Sequence, residues 1–185
     1  MASKIQILLI IAAFTLGYMI YPFMLVLISA WFGFFFIYKI KKQDKNLNRK
    51  ENLVFNIVVF TYPFIEIFLK YFLLNTSLHC YDTLNRYEHF LFAFCLQILL
   101  LPVLKPTFIK LSFLESMILS LCLITFIGNL NEIMEFIIRI KLDLLTNAFQ
   151  EKVYYSDTIL DIITNTLGGL VSFFIIINLN KSSEN

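Results

Sequence analysis

Acids and a histidine recur in this chain at spacings suited to chemistry inside a membrane. His89 follows Arg86 and Glu88 where one apolar run begins. Glu132 and Glu135 close a second run, and Asp157 and Asp161 open a third, with Asn165 one turn further on. Glu66 lies within a fourth. Residues three or four apart on a helix share a face. Asp157, Asp161, Asn165 and Gly168 therefore form one stripe; Gly128, Glu132, Glu135 and Arg139 form another; His89, Ala93 and Gln97 form a third. The candidate catalytic residues are His89, Glu132, Glu135 and Asp161, supported by Glu66, Arg86, Glu88, Asp157 and Asn165.

Carboxylates brought together in a poorly solvated site need a shared cation or proton. Oxygen ligands alongside a histidine suit a divalent cation, the expected cofactor here. The same groups suit acid–base work on a phosphate or sugar. Plainer roles compete. Asp157, next to Ser156, could cap a helix N-terminus. The Glu66 carboxylate could be held by the hydroxyl of Tyr62 or Tyr71, and Arg86 and Arg139 could neutralise neighbouring acids.

These residues must be positioned by membrane helices. The chain has 185 residues, of which 59% are hydrophobic and only 15% charged. A soluble domain is about a quarter charged, so lipid is the solvent for most side chains and the first expected partner. A net charge of +2 gives no case for nucleic acid. The three cysteines, Cys80, Cys95 and Cys122, have no paired spacing. No GxSxG elbow, HExxH, phosphate-binding loop or CxxC is present.

The fold expected is an all-α polytopic transmembrane bundle of about six spans, forming a single integral membrane domain over residues 1–185. Residues 5–38 are almost wholly apolar. As one helix they would run about 51 Å, too long for an untilted span of a hydrocarbon core about 30 Å thick. Gly17 and Pro22 divide them into spans at about 5–20 and 22–38; one kinked helix would reduce the total to five. Further spans are expected near 53–74, 89–104, 111–131 (continuing toward Arg139) and 157–179. Polar loops are expected at 75–88, 105–110 and 141–156. Residues 39–52 form a basic loop with Lys39, Lys41, Lys42, Lys45, Arg49 and Lys50. With Lys4, Lys105, Lys110 and Lys181 it gathers most basic residues at one end. Cytoplasmic loops are rich in Lys and Arg, so both termini are expected in the cytoplasm, and the acids and His89 near the outer face.

Three segments carry a family resemblance: Asn85-Arg86-Tyr87-Glu88-His89-Phe90, Asn131-Glu132-Ile133-Met134-Glu135, and Asp157-Thr158-Ile159-Leu160-Asp161 running on to Asn165-Thr166-Leu167-Gly168-Gly169. Together, over about residues 81–175, they resemble the VanZ-like membrane proteins and the related YjdF-type inner-membrane proteins. Asn85 stands where the family pattern has an acid. The resemblance implies a small polytopic bacterial membrane protein of the cell envelope, with a link to glycopeptide antibiotic resistance. The expected function is binding or modification of a lipid-linked or envelope substrate at the acid and histidine cluster. A proton-coupled carrier and a structural or regulatory membrane subunit are the alternatives. A sealed pocket favours binding or catalysis; a polar path to the other face favours transport.

Overall fold

A computed structural model describes residues 3–21, 24–75, 78–141 and 148–181. Among these every regular element is helical: α1 (Lys4–Ile20), α2 (Met24–Ile40), α3 (Arg49–Asn75), α4 (Leu78–Phe108), α5 (Phe113–Lys141) and α6 (Ala148–Lys181), with a short 3-10 turn at Gln43–Asn46. The apolar stretches Arg49–Asn75, Asp82–Phe108, Phe113–Met134 and Tyr155–Leu179 are long and apolar enough to cross a membrane; α1 and α2 are shorter apolar helices. Large apolar side chains such as Ile5, Leu8, Leu53, Phe68, Phe126 and Leu167 face outward. In water they would form an aggregating surface; in a bilayer they face acyl chains. The protein is a polytopic helical membrane protein.

The break in the first apolar stretch falls where expected. The α1 helix ends at Ile20, Tyr21 is extended (φ −153°, ψ 103°), and α2 starts at Met24. The two-helix reading therefore holds over the single kinked helix.

Several expected loops are helix instead. The 75–88 segment is helical from Leu78, 105–110 through Phe108, and 141–156 from Ala148. The basic segment 39–52 likewise joins α3 at Arg49. Hydropathy reports where lipid ends, whereas a helix continues wherever its backbone is satisfied, and α3, α4 and α6 run past their apolar windows. Asp157 is therefore nine residues inside α6 and does not cap it.

Two prolines explain how the helices lock together. Pro63 lies inside α3 and has no N–H to give the carbonyl four residues back, that of Val59. The Trp31 indole of α2 donates to that carbonyl at 3.0 Å. Pro106 likewise leaves the Pro102 carbonyl of α4 without its helical donor. The side-chain amide of Asn46 donates to it at 2.9 Å. A few residues on, Asn48 and Glu51 cap α3 reciprocally: the Asn48 N–H donates to Glu51 at 2.7 Å, and the Glu51 N–H donates to Asn48 Oδ1 at 2.9 Å. The buried Glu51 carboxylate also pairs with Lys105 of α4. The basic segment is thus latched to α4.

The most extensive helix pairing is that of α4 with α6. It needs Gly168: a Cβ there would collide with the Phe90 backbone carbonyl. The helices α1–α3 form one group and α4–α6 a second, joined along the α3–α4 seam.

Two consequences can be measured in detergent. Trp31→Phe strands a buried carbonyl and should cost about 1–3 kcal/mol. In a Pro63→Ala background the alanine backbone supplies the missing N–H, so the same change should cost clearly less; equal costs in a double-mutant cycle would contradict this assignment. Gly168→Ala should lower stability by about 1–3 kcal/mol through overpacking. Gly33→Ala should not, since nothing lies within 4 Å of a Cβ at Gly33.

Candidate functional site

The expected stripes converge at the end of the bundle opposite the basic segment. Asp161 is 1% exposed and receives three groups from α4. Arg86 pairs with it, the Asn85 amide donates to Oδ1 and Oδ2 at 3.2 and 3.3 Å, and His89 Nε2 lies 3.4 Å from Oδ2. The Arg86 guanidinium also reaches Asp157 Oδ1 at 2.5 Å and donates to the Asp157 carbonyl at 3.2 Å. One arginine on α4 therefore grips two acids one turn apart on α6, the fork geometry in which guanidinium is strong.

His89 is buried on α4 between α5 and α6. Its Nδ1 lies 3.4 Å from the Asn165 amide nitrogen and 3.7 Å from Glu132 Oε1. These distances define two states. In the neutral ring with Nε2–H toward Asp161, Nδ1 accepts from Asn165. In the protonated ring Nδ1–H donates instead, and Glu132 is the acceptor at hand. A proton on His89 thus changes the partner of Nδ1 from an amide to a carboxylate.

A second acid group adjoins the first on the α3 side. The Tyr62 hydroxyl donates to Glu66 Oε2 at 2.8 Å, the plain role expected of it. Glu88 sits beside Glu66 and is paired with Lys70. These groups and His89 line a cavity of about 160 Å³, closed on its apolar side by Tyr21, Met24 and Leu27. At about 30 Å³ per water, that is room for about five. His89 is shared by the cavity and the Asp161–Glu132 cluster.

Among the described residues here, the five carboxylates of Glu66, Glu88, Glu132, Asp157 and Asp161 meet two fixed cations, Arg86 and Lys70, and one histidine. The acids outnumber the cations, so the site favours a further cation or protons. One ligand atom each from His89, Glu132 and Asp161 all lie within 4.8 Å of one another. Ion–ligand bonds of about 2.0–2.6 Å allow two ligands on one ion to stand about 4–5 Å apart. The three side chains therefore fit a single cation without movement of their helices.

The structure brings together His89, Glu132 and Asp161 with Arg86, Asp157 and Asn165, and places Glu66 and Glu88 on the neighbouring cavity. The side chains of Glu135 and Arg139 lie outside the described residues. Asn85, Lys70 and the Glu51–Lys105 pair were not singled out from the sequence. Asn85 falls four residues before His89, on its helical face, and that spacing was the available signal.

The site's chief fixed charge is Arg86, which suggests a direct test. Arg86→Gln leaves Asp157 and the buried Asp161 without their cation and should destabilise the protein by about 3–5 kcal/mol. Adding Asp161→Asn should restore much of that loss in thermal melts; a double variant no more stable than the single one would show that the pair does not govern stability.

Comparison with known proteins agrees with the architecture. A family model described as predicted membrane protein (DUF2238) matches residues 3–182. No curated protein and no solved structure shows a significant match. The match extends over nearly the whole chain, α1 to α6, and on that ground the chain belongs to this family of predicted membrane proteins.

Proposed function

We propose that this is a cell-envelope membrane protein whose acid and histidine site binds a divalent cation and, with it, the polar head of a lipid-linked substrate. The observation that carries the reading is the buried His89–Glu132–Asp161 group, contributed by three helices with ligand atoms within 4.8 Å of one another. Such buried acids inside a membrane protein are costly and mark function.

The adjoining cavity supports the substrate class. One wall offers Lys70, a point charge for a phosphate, beside Glu66, Glu88 and His89; the other is Tyr21, Met24 and Leu27. That amphipathic lining matches a headgroup joined to a lipid tail. A bound cation would supply charge neutralisation for the acids and for a phosphate oxygen. His89, held from behind by Asp161, would take or give a proton at the substrate.

The resemblance of segments 85–90, 131–135 and 157–169 to VanZ-like and YjdF-type proteins supports an envelope role and the link to glycopeptide resistance. The gathering of basic residues around the 39–52 segment supports a cytoplasmic placement of that end and of both termini. The acid site then opens at the outer face.

Purified full-length protein in micelles, titrated with Mn²⁺ and followed by electron paramagnetic resonance, tests this. Saturable binding of one ion per chain is expected. Asp161→Asn and Glu132→Gln should each weaken it at least tenfold, while Glu115→Gln, an exposed acid at the opposite end, should leave it unchanged. Absence of saturable binding in the native protein, or unchanged binding in both site variants, would refute the cation site.

A further inference from the structure

A line of buried polar groups leads away from the acid cluster, through the centre of the α4–α5–α6 group, to the basic end. Asn165 stands first, touching His89 and packed against Gly128 of α5. One turn further along α6, Gly169 leaves room for Gln97 of α4, whose amide donates to the Ser120 hydroxyl of α5. Ser172 follows on the same face of α6, fully buried. Ser116 lies one turn beyond Ser120, and its hydroxyl reaches the Phe108 carbonyl, at the end of α4, at 3.4 Å. All these side chains are at least nine-tenths buried.

The spacing of the line is regular. Asn165 to Gly169 is four residues, about 6 Å of rise, and so is Ser120 to Ser116. Two hydrogen bonds of about 2.8 Å through one water span the same distance. From Glu132 to Ser116 along α5 is sixteen residues, about 24 Å, most of a hydrocarbon core about 30 Å thick.

The groups are also incompletely used. Asn165 Oδ1, Gln97 Oε1 and Ser172 Oγ are buried and have no hydrogen-bond partner among the described residues. Buried polar atoms of this kind are normally satisfied by internal water, which needs two to four polar partners. Simple polar adhesion between helices would pair these atoms with one another; here they are spaced a turn apart with spare acceptors facing inward.

We propose that α4, α5 and α6 enclose a chain of internal waters that carries protons between the acid cluster and the basic end of the bundle. The proton enters at His89, whose Nδ1 gives it up toward Asn165 and the first water. Each water or serine hydroxyl accepts a proton on its oxygen and releases its own to the next, so charge moves and no bond is left altered. Gln97 and Asn165 orient the waters; the hydroxyls of Ser120, Ser172 and Ser116 hand the proton on. The track needs no divalent cation at His89, so it stands or falls separately from the cation site.

The experiment uses full-length protein in vesicles of phosphatidylcholine and phosphatidylglycerol with a pH-sensitive dye inside. A potassium gradient with valinomycin supplies the driving potential. Native protein is expected to raise proton influx at least tenfold over protein-free vesicles. Gln97→Leu, which fills the track with an apolar group of similar size, should reduce the protein-dependent flux at least fivefold. Ser120→Ala, which removes one hydroxyl and leaves the fold little changed, should also reduce it and decides the matter if Gln97→Leu fails to fold. Cys122→Ser, on the exposed side of α5, should have no effect. Flux in native protein no greater than in empty vesicles overturns the proposal, as does full flux in Gln97→Leu and Ser120→Ala.

Discussion

Hydrocarbon offers no hydrogen bonds, and this absence governs the arrangement of the whole bundle. A proline in a membrane helix frees a carbonyl that lipid cannot satisfy. In α3 and α4 those carbonyls are met by Trp31 and Asn46, side chains of neighbouring segments. The prolines thus act as fixed docking points. Trp31 sets α2 against α3, where its ring also packs on Tyr62 with centroids 4.5 Å apart. Asn46, with the Asn48–Glu51 cap and the Glu51–Lys105 pair, sets the basic segment under α4. Local sequence, backbone chemistry and tertiary packing agree at each of these points.

The same constraint shapes the acidic end. Charges there are gathered on facing helices, so that each acid finds a cation, an amide or a hydroxyl within the protein. Arg86 grips the α6 acids, Lys70 takes Glu88, and Tyr62 takes Glu66. The close α4–α6 packing that Gly168 permits brings Asn85, Arg86 and His89 to the level of Asp161. Buried acids in excess of cations are then held ready for a mobile partner, be it a metal ion or a proton.

Much of this was legible in the sequence. The 3.6-residue period placed Asp157, Asp161 and Asn165 on one face, and that face does turn toward α4. The division of residues 5–38 followed from length alone. Helix ends were less legible, because polar residues in 78–88 and 148–156 were read as the end of helix when they mark only the end of lipid. Partner choice across helices was least legible. Nothing local to Asn46 or Trp31 says that a proline sixty or thirty-two residues away will need a donor, although the prolines themselves announce that a carbonyl will be left over. Asn85 read as a departure from a family pattern, yet its amide supplies Asp161 with donors that an acid would lack.

The shortness of α1 and α2 has a consequence for the membrane itself. Each has seventeen residues, about 26 Å of helix against a hydrocarbon core of about 30 Å. A bilayer meeting so short a hydrophobic wall thins locally, and it does so on the flank where the α1–α2 hairpin, at Tyr21 and Met24, borders the acidic cavity. Headgroups on that flank ride lower than elsewhere around the protein. The mismatch therefore draws the polar surface of the membrane down toward Glu66, Lys70, Glu88 and His89, so that a lipid could present its head to the cavity without leaving the leaflet.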